Sequence, residues 1–386
     1  MDPDYLKDVL DVVLRMLHVV AGIAWIGASF YFVRLDLSLR PPKDARDAEK
    51  GVAGEFWGVH GGGFYHSQKN RVAPRELPEP LHWFKWEAYT TWLSGFALLV
   101  LLYYIDADVR LVDAQVADLA DWEAIALSAG SLAVGWLVYD LLCRFVAGEL
   151  VVAAGVAALV VVAAFAMGEL LAPRAAYLQV GSILGTIMAA NVLLVIIPAH
   201  RELVRAKQEG REPEAAPGIA AKRRSVHNNY LTLPVVFTML AGHFPFAYGH
   251  DHAWLVLVAV TAIAVWVRHF FNLWHQGRRA WWIPVTGAVA AVALAVAIEP
   301  DDDPARGTSG AVPFTRIERI IEQRCAACHS GLDAPNGVRF ETREQIEESA
   351  DDIAEQAARL RTMPPGNSTG ITEAERDLLA VWASQG

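Results

Sequence analysis

Hydrophobic positions along this 386-residue chain are grouped into long apolar segments, separated by polar stretches that contain glycine and proline. A helix that spans a membrane needs about 20 mostly apolar residues. Eight segments reach or approach that length, and we therefore expect an all-α fold: a polytopic bundle of eight transmembrane helices over residues 1–299. The predicted spans are 10–33, 89–105, 123–142, 150–168, 178–198, 230–246, 253–271 and 281–298.

Composition agrees with this pattern, because 54% of the residues are hydrophobic and only 20% are charged. The formal net charge of −10 gives no basic footprint for nucleic acid. The N-terminal segment MDPDYLKDVLD is acidic and lacks the basic region of a cleavable signal peptide. We therefore expect the spans themselves to direct the chain into the lipid bilayer.

Lysine and arginine alternate between loops. Residues 34–88 contain nine of them and residues 199–229 contain seven, and Arg268, Arg278 and Arg279 are assigned to the loop after the seventh span. The intervening loops contain one or none. Basic loops face the cytoplasm. This arrangement predicts a multi-pass protein of the bacterial inner membrane with both termini in the periplasm.

A linker rich in proline, glycine and acidic residues, 300–312, separates the spans from a small domain at 313–386. This domain contains Cys325-Ala-Ala-Cys328-His329, the attachment motif for a c-type haem. Met363 is the only methionine after residue 300 and is the expected second axial ligand of the haem iron. The pattern predicts a small class I cytochrome c with one covalent haem c. No second cysteine pair completes a zinc site, and Cys143 is expected to be a packing residue.

Helices flank this motif in the prediction. Phe314, Ile317, Ile320 and Ile321 form an apolar stripe at helical spacing. Thr372 and Glu375 form a capping box, with Ile371 as its hydrophobic staple.

Two histidines, His18 and His243, are predicted to lie within spans, in the outer half of the membrane. Ionisable residues inside a span usually mark function. Imidazoles on facing helices are a common way to hold a b-type haem, so these two are candidate ligands of a second haem or metal. The competing interpretation is that both are packing residues that hydrogen-bond to a neighbouring helix.

Three dense segments lie on the predicted cytoplasmic side: GEFWGVHGGGFYHSQKN at 54–70, LPEPLHWFKWEAYTTWLSGF at 77–96 and RSVHNNYLTLPVVFTML at 224–240. Together they resemble the membrane-bound urate oxidase (urate hydroxylase) family, whose eight-helix domain is often fused to a C-terminal cytochrome c. The resemblance implies an oxidoreductase of purine catabolism that converts urate to 5-hydroxyisourate. It further implies that electrons pass to the fused haem, then to a soluble cytochrome or terminal oxidase, instead of forming hydrogen peroxide.

Urate is a planar anion, and a site for it needs cationic and amide groups. The candidate catalytic and binding residues share the predicted cytoplasmic side of the bundle. They are His60, His66, Arg71, His227, Asn228 and Asn229.

Two other functions fit the same pattern. A quinol:cytochrome c electron-transfer module would use the same topology and haem, and reduction of the haem by quinol rather than urate would identify it. A copper-handling protein or metal transporter would also carry the His-then-small-residue pattern LHVVAGIAWIG of the first span. Metal uptake without redox turnover would identify that function.

Overall fold

The computed structural model describes residues 3–74, 76–114, 116–299, 312–331 and 334–385. It is mostly helical, and each of the eight predicted spans lies largely within a helix. The helices of the N-terminal domain are α1 (Pro3–Ser38), α2 (Ala45–Glu49), α3 (Trp86–Leu99), α4 (Ala107–Arg110), α5 (Asp121–Phe145), α6 (Glu149–Gly168), α7 (Pro173–Asn191), α8 (Ile197–Gln208), α9 (Ala215–Leu240), α10 (Pro245–Tyr248), α11 (Ala253–His275) and α12 (Trp282–Ala297).

Five helical segments within the described residues are long and apolar enough to cross a membrane, which is compatible with a membrane protein. They are Tyr5–Ser38, Asp121–Phe145, Glu149–Gly168, Pro173–Gln208 and Ala253–His275. The last apolar helix, α12, is shorter. The second predicted span is short. It consists of α3 and a π-helical turn, Val100–Tyr104, that continues this helix.

Helix α7 lies at the centre of the bundle, where it contacts α5, α6 and α9. Glycine makes this packing close, because a Cβ atom at Gly181 would overlap the side chain of Thr238 on α9. By contrast, α1 packs mainly on α3 and exposes an apolar face that includes Val12, Met16 and Ile23. An apolar face of this kind suits contact with lipid.

The glycine-rich segment after α2 corrects the all-α expectation, because it forms a β-hairpin. Strand β1 (Val52–His60) pairs antiparallel with β2 (Gly63–Asn70), and His60 faces Gly63 across the turn. Gly61 and Gly62 have φ angles of 59° and 81°. Positive φ at both positions is what a two-residue hairpin turn of type I′ requires, and glycine adopts it without strain.

The C-terminal domain contains α13 (Phe314–Arg324), α14 (Arg343–Glu348), α15 (Ala350–Ile353) and α16 (Glu373–Ala383). The predicted stripe on α13 is confirmed, since Ile317 and Ile321 are fully buried. The predicted capping box at Thr372 is present, and Ile371 beside it is buried.

This domain lies against two loops of the bundle that contain few bases. Arg361 forms an ion pair with Asp251 at 3.3 Å. A Cβ atom at Gly249 would lie 2.6 Å from the carbonyl oxygen of Leu360. A Cβ atom at Gly366, three residues after Met363, would come still closer to the carbonyl oxygen of Val109 in α4. The segment that carries Met363 therefore forms the contact with the bundle.

Candidate functional site

Two adjacent asparagines on α9 point into different parts of the bundle. Asn228 and Asn229 are both buried, with exposed fractions of 4% and 0%. Successive residues of a helix lie about 100° apart around its axis. Asn228 therefore faces α5 and α7, whereas Asn229 faces α11, and the two amides belong to separate polar clusters.

The cluster around Asn228 is closed, in the sense that its hydrogen bonds are satisfied within the protein. The Asn228 amide donates to the carbonyl of Met188 at 2.9 Å and accepts from Asn191 at 2.8 Å. Asn191 also donates to the Tyr139 hydroxyl, which lies 2.8 Å from Nδ1 of His227. His227 is further held by Glu149 at 3.4 Å.

A buried ion pair supports the same cluster. Arg224, with 4% of its surface exposed, donates to Asp140 at 2.7 Å and lies over the Tyr139 ring at 4.9 Å. Arg144 binds the other oxygen of Asp140 at 2.6 Å. Buried charges that are paired and hydrogen-bonded hold helices in a fixed arrangement. This cluster therefore joins α5, α7 and α9.

The second cluster, which we call the open cluster, consists of Asn229, Arg268 and Asn272. Arg268 and Asn272 lie one helical turn apart on α11 and are 4% and 5% exposed. Arg268 Nε donates to Asn229 Oδ1 at 2.9 Å, and its guanidinium lies 3.8 Å from the centre of the Phe30 ring on α1. Its position corrects the sequence assignment, because Arg268 is a buried residue of α11 and not a loop base.

Three buried polar atoms of the open cluster have no hydrogen-bond partner among the described residues: Nδ2 of Asn229, Nη2 of Arg268 and Oδ1 of Asn272. Most buried polar groups in proteins are hydrogen-bonded, and an exception needs an explanation. Sequence reasoning included Asn229 but missed the two α11 residues. The sequence does contain an indication of them, because an arginine and an asparagine lie four residues apart in a mostly apolar helix.

The hairpin residues form a third, separate group. His66 binds Glu55 at 2.8 Å across the two strands and stacks on Trp57 at 4.1 Å between ring centres. The hydrogen bond from His66 holds the pKa of Glu55 below its usual range. His60 is exposed at the turn, and Arg71 follows β2 at the surface. The predicted set therefore divides between the hairpin and α9, instead of forming one site.

The two candidate intramembrane histidines are also apart. His18 lies near the middle of α1, where its Nδ1 is 2.9 Å from the carbonyl of Thr91 on α3. Gly95 makes room for the ring, since a Cβ atom there would lie 2.7 Å from it. His243 lies in a short 3-10 turn after the end of α9 and is exposed. Within the described residues, no hydrogen bond or ring contact joins His18 to His243.

The C-terminal domain presents the donor atoms that a covalent haem requires. The Cys325-Cys328-His329 motif follows α13 directly and folds into a turn, with Cys328 and His329 donating backbone bonds to the Cys325 carbonyl at 3.1 and 3.0 Å. His329 Nδ1 donates to the Val338 carbonyl at 3.1 Å, because a carbonyl can only accept. Nε2 of His329 is left free for a metal.

Burial raises the pKa of the Cys325 thiol to about 11, so the free thiol stays protonated near neutral pH. Met363 is 38% exposed. Its backbone is fixed by hydrogen bonds with Gln356 and Arg376 at 3.1 and 3.0 Å. Two thiols, an imidazole and a thioether are the donor set of a c-type haem with His and Met ligation. The residues present therefore fit that group.

No curated protein and no solved structure matches the chain. Residues 4–299, the whole helical bundle with its hairpin, match the family described as urate oxidase N-terminal. The match covers more than half of the sequence, and it includes both asparagine clusters, the hairpin and His18. The chain belongs to the urate oxidase N-terminal family.

Proposed function

We propose that this protein is a membrane-bound urate oxidase that delivers its electrons to a c-type haem in its own C-terminal domain. Urate and water give 5-hydroxyisourate, two protons and two electrons. The observation that carries this proposal is the combination of a urate oxidase family domain and a complete haem-attachment motif in one chain. The two domains are also in contact, through the segment that carries Met363.

The contact between the domains supports the predicted orientation. Arg361 and Leu360 meet the loop at 249–251, which belongs to the loops with few bases. Such loops face the outside of a bacterial inner membrane. A c-type domain on that side would pass electrons to a soluble cytochrome or a terminal oxidase. Its haem accepts one electron at a time, so each urate requires two such transfers.

In this proposal Cys325 and Cys328 would attach the haem, and His329 and Met363 would bind its iron. When bound, the haem supplies a one-electron acceptor whose potential is raised by the methionine thioether. The protein fixes both ligands before the group binds. The Val338 carbonyl orients the His329 ring, and Arg376 holds the Met363 backbone.

Anaerobic reduction tests the proposal directly. Purified, oxidised protein is mixed with urate in the absence of oxygen, and the reduced c-haem absorption band is followed. We expect the band to grow with two haems reduced per urate consumed, and 5-hydroxyisourate to form in step. A matched sample with decylubiquinol in place of urate is the control. Rapid reduction by quinol with none by urate would overturn the proposal and identify a quinol:cytochrome c module.

A further inference from the structure

The open cluster is a buried group of polar atoms that the protein leaves without partners. Asn229, Arg268 and Asn272 are all more than nine-tenths buried, and each has one unpaired side-chain atom. They come from two helices, α9 and α11, that pack against each other. The adjacent Asn228 shows that the same bundle satisfies buried amides elsewhere, so the open cluster is a distinct feature.

The charge of the open cluster is positive and uncompensated. No carboxylate pairs with Arg268 in the described part of the chain, whereas Arg224, equally buried, pairs with Asp140. Arg34 lies one helical turn beyond Phe30 on α1, and it too has no carboxylate partner among the described residues. A buried cation without a partner is unfavourable, and an anionic ligand would remove the cost.

The unpaired atoms also indicate which donors and acceptors a ligand would need. Arginine only donates, so the oxygen of the Asn229 amide must face Arg268 and its nitrogen must face away. The cluster therefore offers two N–H donors, from Arg268 and Asn229, together with the amide oxygen of Asn272 as an acceptor. A simple anion such as chloride would use only the donors, and a neutral quinone has no N–H for Asn272.

A planar anion with carbonyl oxygens beside ring N–H groups matches all three atoms. Oxopurines have this pattern, and urate is the anionic member that the proposed reaction consumes. A cavity of about 480 Å³ lies nearby, at the same end of α1 and α11. It is lined by Arg34, Phe270, Phe271, Trp274, His275 and Trp281.

We infer that Asn229, Arg268 and Asn272 bind the anionic oxopurine substrate, with Arg268 as the group that recognises its charge. This inference rests on the proposed function for the identity of the ligand. In this inference the substrate is recognised by residues of α9 and α11. The hairpin histidines and the Asn228 cluster do not contact the substrate.

Equilibrium binding to reduced protein tests the inference without turnover. Full-length protein is reduced with ascorbate under anaerobic conditions, so that urate can bind but its electrons have no acceptor, and the Kd of radiolabelled urate is measured. Arg268→Gln removes a charge-assisted contact, and we expect its Kd to rise about 10–100-fold. Arg223→Gln on α9, which removes an arginine paired with Glu149, is the matched control and should leave Kd within about twofold.

A second variant keeps the result interpretable if Arg268→Gln folds poorly. Asn272→Asp preserves shape but adds a negative charge, so it should weaken urate more than xanthine at mildly acidic pH, where xanthine is neutral and urate is anionic. Covalent haem content and the unfolding profile report on folding. Unchanged Kd values in both variants would overturn the inference, even if urate reduces the haem. Urate binding that depends on Arg268 but causes no haem reduction would overturn the proposed function and leave the site standing.

Discussion

Two equally buried arginines, Arg224 and Arg268, should respond in opposite ways when each is replaced by methionine. Arg224→Met removes the partner of Asp140, a carboxylate whose side chain is only 10% exposed. Breaking a buried pair typically costs about 3–5 kcal/mol. Arg144 still binds Asp140, so we expect the lower end, about 3 kcal/mol.

Arg268→Met removes a cation that has one hydrogen bond, from Nε to Asn229, and no carboxylate partner among the described residues. Losing that bond leaves the Asn229 oxygen buried and unpaired, at a cost of about 1–3 kcal/mol. Relieving the desolvation of an unpaired charge returns several kcal/mol, and methionine still packs on Phe30. We therefore expect this variant to be as stable as the parent or more stable, while it loses urate binding.

Cys143 provides the assay. It is buried on α5, and the other two cysteines carry the haem in our proposal. A thiol-reactive dye then labels Cys143 only when the bundle opens. Arg224→Met should raise the opening equilibrium about 10²-fold, and Arg268→Met should leave it unchanged or lower it. Cys143→Ser gives the background. Equal destabilisation in both variants would show that Arg268 is paired in the folded protein, and the reasoning behind the open cluster would fail.

Three further predictions concern the C-terminal domain and its contact with the bundle. Met363→Ala should leave the haem attached but lower its potential and remove the methionine–iron charge-transfer band, as a redox titration would show; an unchanged potential contradicts the ligand assignment. A reporter active only in the cytoplasm should be silent when fused after Gly386 and active in the loop at 209–214, and the reverse pattern contradicts the topology. Gly249→Val should slow haem reduction by urate without changing the haem potential, because its side chain would collide with the carbonyl of Leu360.

Periodicity and length predicted the helices because apolar runs of this size have few alternatives. The hairpin was missed although its signal is present: two glycines separate two stretches that contain aromatic residues, Phe56 and Trp57 before the turn and Phe64 and Tyr65 after it. These residues lie in the long polar stretch between the first two predicted spans, where the apolar pattern predicts only a loop. A two-residue Gly-Gly connection is itself a hairpin indicator.

The proposed haem-binding residues are prominent in the sequence because three lie within one short motif and the fourth is the only methionine after residue 300. The open cluster could not be predicted, because it joins residues 39 and 43 positions apart whose significance lies in what they lack. Sequence shows that Asn228 and Asn229 are adjacent, but only packing shows that one is satisfied by Asn191 and the other is not. The spacing of Arg268 and Asn272 marks them as polar residues of an apolar helix, but their lack of partners is a property of the tertiary structure.

If urate is oxidised at the open cluster, as we infer, its electrons must cross the bundle to reach the C-terminal domain. Arg268 lies 15 residues along α11 from Ala253, about 22 Å from the end that meets the C-terminal domain. One tunnelling step over that distance is too slow for turnover. Along α1, His18 lies between the ion pair of Lys7 with Asp106 and Phe30, whose ring contacts Arg268.

We expect His18 to bind an intermediate redox centre. Its Nδ1 donates to the Thr91 carbonyl, so Nε2 is the ring nitrogen that could bind a metal, and the ring packs directly against Gly95. We expect full-length protein to carry non-covalent haem or metal in addition to the covalent haem, measured by a pyridine haemochrome spectrum and metal analysis. His18→Gln should abolish that content and the reduction of the covalent haem by urate, while urate binding persists. Wild-type protein with a single iron per chain, together with His18→Gln protein that reduces its haem at the wild-type rate, would show that electrons leave the open cluster by another route.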